Sequence, residues 1–276
     1  MRCRLLCLVS LVIAPLALIA DEPATATAEL PAIAIIIDDL GYNTHEGERA
    51  LALPGALTYS ILPRTPAALQ LSQRAAQLGK DVLLHLPMEA ESGNAQLGPG
   101  AIILGMTREQ VFATLADNLA SVPNAIGVNN HMGSLLTAER EPMVWVMEAL
   151  RQHGNLMYVD SRTSSHSVAS SAASEQQLPF LARDVFLDNE GGYDYARHQF
   201  LHLVALAHQR GYALAIGHPR PATLQLLETF LPHVEQQGVR LVRLGELFSL
   251  QSQNQSDRRN STWQLSSSHS PTDVKN

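Results

Sequence analysis

Polar side chains that can bind a metal ion or move protons follow several short apolar runs of this sequence. Asp38 and Asp39 come directly after the β-branched run at residues 35–37. Other apolar runs are followed in the same way by imidazole, carboxylate or amide groups: His85 with Glu89, Asn129 to His131, Asp160 with Arg162, and His218. Ionisable groups in such places are costly to bury unless they are paired or coordinate an ion. The pattern therefore predicts one shared polar site.

The residue types indicate hydrolysis assisted by a metal ion. Two adjacent carboxylates, Asp38 and Asp39, cannot both ionise comfortably in a dry site without a cation. One aspartate with two histidines suits zinc or another divalent ion and leaves coordination positions open for water and substrate. Such an ion polarises a carbonyl and acidifies water, while a second carboxylate can accept a proton and a histidine opposite can donate one.

Strand and helix patterns alternate between residues 31 and 250. Repeated strand–helix units require a parallel sheet, because each crossover returns the chain to the same edge. Seven or eight units in this length favour an α/β fold with an irregular (β/α)7–8 barrel, and an open doubly wound sheet is the alternative. The barrel would bring the carboxyl ends of its strands to one mouth. The predicted strands are 32–37, 82–86, 125–128, 156–159, 185–187, 212–216 and 239–242, and the predicted helices include 67–78, 111–119, 142–152, 195–209 and 221–236.

Two helix starts carry capping signals. Thr65 followed by proline is expected to cap the helix over 67–78. Thr107 with Gln110 has the spacing of a capping box ahead of the helix over 111–119.

The N-terminal residues indicate export. Residues 1–20 contain two early arginines followed by an apolar stretch, which is typical of a secretory signal peptide, and an uncleaved anchor is the alternative. Both cysteines, Cys3 and Cys7, lie in this segment, so the exported chain would have no thiol for a disulfide or a metal. A periplasmic or secreted protein with no membrane span after signal cleavage is expected.

The remaining sequence divides into three parts. Residues 21–30 are rich in Ala, Thr and Pro and are interpreted as a linker, residues 31–250 as the barrel domain, and the polar residues 251–276 as a disordered tail. Of the 276 residues, 26 are acidic and 19 are Lys or Arg, which gives a net charge of −7. This balance argues against a nucleic-acid partner, because phosphate binding needs clustered basic residues.

The motifs resemble those of a known family. Residues 37–41, Ile-Asp-Asp-Leu-Gly, are similar to the Asp-Asp-Gly signature of NodB-type polysaccharide deacetylases, with Leu40 inserted before the glycine. Together with the motifs at 85–89, 129–134, 160–162 and 216–219, they resemble the divergent polysaccharide deacetylase family, in its YibQ-like branch, over about residues 31–249.

The resemblance implies a metal-dependent hydrolase that removes acetyl groups from N-acetylated sugars of an envelope polysaccharide or a peptidoglycan-type glycan. It makes Asp38 the general base and His218 the general acid, and it adds Asp160 to the catalytic set. The expected ligands of a divalent metal, zinc being the first choice, are Asp39, His85 and His131.

Two departures from the family pattern affect these assignments. Glu89 stands where a second histidine is usual, so His131 from the next strand is the expected replacement, with Glu89 as the alternative third ligand. The Arg-x-Pro-Tyr motif of the family is not visible in this sequence. Arg162 is the candidate for the roles that the resemblance gives to this motif, which are to stabilise the oxyanion and to tune the general base. Five residues are expected to contact either the substrate or the metal-binding and catalytic residues: Glu89, Asn129, Asn130, Ser134 and Arg162.

Two other function classes fit the same residues. One is a non-catalytic glycan-binding or scaffold protein that keeps the barrel. The other is a glycoside hydrolase that uses a carboxylate pair drawn from Asp38, Glu89 and Asp160, a reaction that needs no metal.

Overall fold

Parallel strands alternate with helices along residues 29–267, the part of the chain that the computed structural model describes, with side chains described to residue 256. The predicted signal peptide and residues 21–28 of the predicted linker lie outside this part. The strands are β1 Ala32–Leu40, β2 Thr58–Ile61, β3 Asp81–Met88, β4 Ala125–Met132, β5 Met157–Asp160, β6 Phe180–Ala182, β7 Val185–Phe186, β8 Tyr212–Gly217 and β9 Arg240–Leu241.

Eight α-helices and three short 3₁₀ helices lie between or after the strands within the described residues. The α-helices are α1 Thr44–Leu51, α2 Ala68–Gln77, α3 Arg108–Ser121, α4 Arg140–Gln152, α5 Ala169–Glu175, α6 Tyr193–Arg210, α7 Pro221–Phe230 and α8 Leu244–Ser267. The 3₁₀ helices are Asn94–Gln96, Leu136–Ala138 and Leu231–Gln237. The sequence patterns do not predict β2, β6, α1 or α5, each of which has at most eight residues.

The strands form one curled parallel sheet in the order β6-β5-β4-β3-β2-β1-β8-β7, and β9 pairs with the start of β1. The two edge strands, β6 and β7, are joined by only Arg183 and Asp184. The Arg183 amide donates to the Asp160 carbonyl on β5 at 3.0 Å, and the Asp184 amide donates to the Leu214 carbonyl on β8 at 2.8 Å. One short segment thus bonds to both sides of the curl, and the predicted irregular β/α barrel is confirmed.

Side chains alternate between the inside of the curl and the helix layer, as the pleat of a strand requires. In β1, Ile33, Ile35 and Ile37 pack in the cluster that contains the helices. The residues between them join a second, smaller cluster inside the curl, which includes Ala34, Ile36, Leu83, Val159, Leu214 and Ile216. Leu244 and Leu247 of α8 complete this inner cluster, so the start of α8 covers the end of the barrel where the strands begin.

Helix α8 differs from the sequence prediction, which has a disordered tail from residue 251. The helix continues to Ser267, and residues 268–276 lie outside the described part. Its first turns are anchored in the core, so each further residue adds to a formed helix rather than starting a new one. The Asn254 side chain also donates to the Arg210 carbonyl at 3.2 Å. No helix among the described residues is long and apolar enough to cross a membrane.

The two capping predictions have opposite outcomes. Helix α2 begins after Ala67 without a side-chain cap, and the Thr65 hydroxyl donates instead to the Leu62 carbonyl at 2.8 Å. That hydroxyl lies against Gly41, where a Cβ would come within 2.1 Å of it, so Thr65 is held in the turn beside β1. The capping box at α3 does form. The Thr107 hydroxyl accepts from the Gln110 amide at 3.3 Å, and the Gln110 side-chain oxygen accepts from the Thr107 amide at 2.8 Å.

Thr107→Ala should lower the free energy of unfolding by about 1 kcal/mol, because it removes a helix cap. Urea unfolding followed by circular dichroism measures the change. Thr229→Ala is the matched control, since the exposed Thr229 hydroxyl only donates to the Gln225 carbonyl within α7. Equal losses in the two variants would contradict a specific contribution from the cap.

Candidate functional site

Most polar residues at the mouth of the barrel occupy the inward-facing position that follows the apolar interior of their strand. Asp38 lies two residues after Ile36 of the inner cluster, and His218 lies two residues after Ile216. Because inward positions repeat every second residue, the carboxyl ends of all these strands present side chains to the same space. The inward-facing set is Asp38, Ser60, His85, Asn129, His131, Ser161, Arg183, Asp188 and His218.

Asp39 reaches this space although alternation alone would turn it towards the helices. Its backbone has a left-handed φ of +61°, which is uncommon for a residue other than glycine. The pairing of β1 with β2 shifts register between Ile37 and Leu40, so β1 bulges at the two aspartates. A bulge with a left-handed residue redirects a side chain, and it brings both carboxylates to the mouth.

One carboxylate oxygen and two imidazole nitrogens, all atoms that can coordinate a metal ion, lie close together at Asp39. Its Oδ1 atom lies 3.1 Å from Nε2 of His85 and 3.0 Å from Nδ1 of His131, and these two nitrogens are 3.2 Å apart. Although Asp39 Oδ1 is buried, it accepts no hydrogen bond of acceptable geometry from any described residue. Donor atoms about 3 Å apart have the separation of ligands around a single cation with bonds of about 2.0–2.2 Å. The orphaned oxygen and the donor set fit a divalent metal ion.

Hydrogen bonds on the far side of each imidazole determine which nitrogen faces Asp39. Nδ1 of His85 lies 2.8 Å from the side-chain oxygen of Asn129, and Nε2 of His131 lies 3.3 Å from the Gln96 carbonyl. Both partners can only accept, so these nitrogens carry the protons. The opposite nitrogens then present lone pairs to the space beside Asp39, as metal-ligating histidines do.

Asn129 connects this triad to Asp38. Its side-chain oxygen also accepts from the Ser60 hydroxyl, and its amide nitrogen donates to Oδ1 of Asp38 at 2.8 Å and to the Ser161 hydroxyl at 3.4 Å. Oδ2 of Asp38 lies 3.7 Å from Nε2 of His85. One buried amide therefore orients both a candidate ligand and the neighbouring carboxylate.

The charges in the site shift the pKa values of its residues. Burial raises the pKa of Asp38 despite the opposing effect of His85 and His218. Burial also acts to raise the pKa of Asp39, but the contacts with His131 and His85 hold it well below its usual range. For His85, burial opposes protonation, yet the two carboxylates raise the pKa to about 9. The lowered pKa of Asp39 and the raised pKa of His85 both indicate that the carboxylates of this cluster favour a positive charge beside them.

His218 forms a pair with Asp188 on the opposite side of the mouth. Nδ1 of His218 lies 2.8 Å from Oδ1 of Asp188, whose Oδ2 accepts from the His218 amide at 2.8 Å and from the Thr223 hydroxyl at 2.7 Å. Nε2 of His218 faces the triad, 3.6 Å from Oδ2 of Asp39. Burial acts to lower the pKa of His218, but the bond to Asp188 raises it above its usual value.

Four inward-facing residues are missing from the sequence-based candidates: Ser60, Ser161, Arg183 and Asp188. Ser161 stands between the candidates Asp160 and Arg162. Asp188 follows the predicted strand 185–187 in the same manner as the aspartates that were recognised, so the signal was present. Ser60 lies on β2 and Arg183 follows β6, two short strands that the sequence patterns do not predict.

The structure places Glu89 and Asp160 in loop contacts rather than in the triad. Oε2 of Glu89 accepts from the Leu104 amide at 2.6 Å, so His131 and not Glu89 stands beside Asp39. Asp160, expected in catalysis, uses Oδ1 to accept from the Arg162 amide and Oδ2 to accept from the Ser167 hydroxyl, both at 2.7 Å. These bonds shape the loop after β5.

The remaining sequence candidates surround the mouth. The side-chain oxygen of Asn130 accepts from the Ser161 amide at 2.9 Å, and the Ser134 hydroxyl accepts from the Glu91 amide at 3.0 Å. Both contacts hold loops in place. Arg162 is exposed on the loop after β5.

Asn129→Ala should weaken the binding of a divalent metal ion, with zinc as the probe, by about 10- to 100-fold, because it removes the hydrogen bond that orients His85. Competition with a chromophoric chelator measures the affinity. The matched control is Asn124→Ala, just before β4 at the opposite end of the barrel, where the side chain donates to the Ser72 carbonyl at 3.3 Å. Zinc affinity that is equal in both variants would show that Asn129 does not support a metal site.

Comparisons with known proteins agree with this fold and identify a family. Residues 35–248 match the model of the family described as divergent polysaccharide deacetylase. The chain is 38% identical over 216 residues to an uncharacterised protein of Haemophilus influenzae, covering 78% of this chain and 76% of that one. It is 36% identical over 196 residues to the uncharacterised protein YibQ of Escherichia coli K12, covering 71% and 61%.

A solved structure shows the same fold. An uncharacterised protein of Agrobacterium tumefaciens superimposes with a TM-score of 0.76 at 22% identity, over 80% of this chain and 91% of the other. The resemblance stated from the motifs is confirmed by the family match and by relatives above 30% identity. The chain belongs to the divergent polysaccharide deacetylase family.

Proposed function

We propose that the protein is an exported, metal-dependent hydrolase that removes acetyl groups from N-acetylated sugars of an envelope glycan of the peptidoglycan type. The convergence of Asp39, His85 and His131, flanked by Asp38 and by His218, is the observation that carries the proposal. The family supplies the glycan as substrate class. A periplasmic or secreted location rests on the signal-like residues 1–20.

Asp39, His85 and His131 would hold the cation, which we propose is zinc, since one carboxylate and two imidazoles suit that ion. When bound, the cation polarises the acetyl carbonyl and makes a nearby water molecule more acidic. The bulge at Asp39 and the proton positions on the two imidazoles prepare the ligands for this role.

Asp38 is placed to act as the general base. Asn129 holds one of its oxygens, and burial raises its pKa, which makes the carboxylate a better proton acceptor than an exposed aspartate. As the oxygen of a water molecule bonds to the acetyl carbon, Asp38 accepts the proton that this water loses.

His218 is placed to act as the general acid. Its bond to Asp188 favours the imidazolium form and turns Nε2 towards the mouth. As the carbon–nitrogen bond of the acetamido group breaks, Nε2 donates its proton to the leaving nitrogen. The products are acetate and the free amine; Asp38 then releases its proton to solvent and His218 takes one back, so one water has been consumed.

The carboxylate-pair alternative finds no support in the geometry. The carboxylates of Glu89 and Asp160 are bonded to loop groups. Asp38 faces a histidine-containing triad rather than a second carboxylic acid across a substrate-sized gap.

Asp38→Asn should reduce acetate release from N-acetylglucosamine oligomers by about 10²- to 10⁴-fold, because the amide cannot accept the proton. The bound zinc, measured by atomic emission, should stay near the wild-type amount, whereas Asp39→Asn should lose both zinc and activity. Asp81→Asn is the control, since Asp81 lies at the start of β3 and pairs with Arg243. Full activity in Asp38→Asn would refute the assignment of Asp38 as the general base.

A zinc-loaded wild-type protein that binds the oligomers but releases no acetate would be a non-catalytic glycan-binding protein.

Asp188→Asn should lower kcat by about 10²-fold or more while KM changes little, because the amide neither stabilises the imidazolium nor keeps the imidazole in its productive tautomer. Steady-state kinetics on the same oligomers measures both constants. Asp117→Asn is the surface control, as its carboxylate is 74% exposed beside Arg64. An unchanged kcat in Asp188→Asn would contradict the role of Asp188 in orienting and charging His218.

A further inference from the structure

A pocket with two guanidinium groups opens between the loop after β5 and the β6–β7 connection. It has a volume of about 340 Å³ and is lined by Arg162, Ser164, Ser165, Arg183 and Asp184. The mechanism above uses none of these residues. The pocket presents positive charge and hydroxyl groups, which together suit an anion.

Arg183 is a half-buried cation held in one orientation. Its Nε donates to the Ser161 carbonyl at 2.7 Å and a terminal nitrogen donates to the Arg162 carbonyl at 3.0 Å, while the guanidinium lies 4.2 Å from the centre of the Phe186 ring. A cation fixed by neutral groups keeps its charge available for a ligand. Burial and the repulsion from the Arg162 guanidinium lower the pKa of Arg183, while the carboxylates of Asp160, Asp38 and Asp184 act to raise it.

Arg162 adds an exposed cation on a strained backbone. Its φ is +51°, in the left-handed region that residues other than glycine rarely adopt. The bond from its amide to Asp160 holds this conformation at 2.7 Å. Within the described part of the chain, the Arg162 guanidinium makes no hydrogen bond or ion pair. An anion between Arg162 and Arg183 would remove their repulsion.

The one carboxylate in the pocket does not neutralise these cations. Oδ1 of Asp184 pairs with Arg210 at 2.9 Å, and its Oδ2 accepts from the Leu214 amide at 2.9 Å. Among the lining residues two arginines face one carboxylate, so the lining keeps a net positive charge, while Asp160 and Asp38 attract Arg183 from outside the lining. Ser164 accepts from the His166 amide at 3.1 Å and still has its hydroxyl hydrogen to donate.

The pocket adjoins the candidate active site through direct contacts. Phe186, under the Arg183 guanidinium, stacks on His218 with 5.5 Å between ring centres and 11° between ring planes. Ser161, whose carbonyl binds Arg183, accepts a bond from Asn129 through its hydroxyl. One residue, Phe186, thus separates Arg183 from His218, and another, Ser161, separates Arg183 from Asn129.

We propose that this pocket is a subsite for a carboxylate on the glycan, so that the protein selects N-acetylated sugars carrying an acidic substituent over neutral ones. The inference rests on the proposed function, which it deepens by naming the substrate class. Guanidinium groups bind carboxylates through paired, charge-assisted hydrogen bonds, which lysine or a neutral side chain does not reproduce.

A binding experiment tests the subsite without requiring turnover. Isothermal titration calorimetry on the zinc-loaded full chain compares N-acetylmuramic acid, which carries a carboxylate, with neutral N-acetylglucosamine. We expect the acid to bind about tenfold more tightly to the wild type, and Arg162→Gln to lose this advantage. Arg197→Gln, an exposed arginine of α6, is the matched control and should keep it.

Equal binding of the two sugars, or an advantage that survives in Arg162→Gln, would overturn the proposal. Inorganic phosphate serves as a second probe. If phosphate binds in an Arg162-dependent manner and the acidic sugar does not, the pocket takes phosphate and the carboxylate assignment is wrong.

A kinetic experiment separates this inference from the proposed function. In Arg162→Gln, the ratio of kcat/KM for acidic over neutral oligomers should fall about tenfold. A protein that releases no acetate but keeps the Arg162-dependent binding preference would refute the hydrolase and retain the subsite. An active enzyme that shows no preference would refute the subsite and retain the hydrolase.

Discussion

The convergence of Asp39 Oδ1, His85 Nε2 and His131 Nδ1 is the constraint on which the rest of the site depends. A carboxylate oxygen and two imidazole nitrogens that all present lone pairs repel one another at about 3 Å unless a positive charge lies among them. The protein holds these three at that separation by bonding the far side of each imidazole and by bulging β1. The arrangement is therefore built for a cation.

The groups that flank this triad are held by separate partners at two neighbouring strand ends. Asn129 orients Asp38 in β1, and Asp188 orients His218 after β8, the strand that pairs with β1. Burial raises the pKa of Asp38, and the bond to Asp188 outweighs burial and raises the pKa of His218, so the proposed base accepts a proton more readily and the proposed acid keeps its proton to higher pH. Phe186 lies between Arg183 and His218 and connects the arginine-lined pocket with the His218 side of the site.

Much of the fold was predictable because the long buried strands have continuous apolar runs and the long helices have clear periodicity. The short elements were not. Strand β2 has four residues, and its Thr58 and Ser60 place hydroxyls inside the barrel where an apolar pattern would be expected. The predicted helix cap at Thr65 does not form, because tertiary contacts hold the Thr65 hydroxyl in a turn against Gly41.

The order of residue types along the chain indicates which strands end in polar groups and, through the parallel topology, that these groups share one mouth. Which of these groups come into contact depends on the folded sheet. In the folded protein, His131 rather than Glu89 lies beside Asp39. Asp160 bonds to the loop after β5, and His218 pairs with Asp188. The physical reason is that ligand geometry depends on the register between neighbouring strands and on one left-handed residue in a bulge, which are settled by packing of the whole sheet.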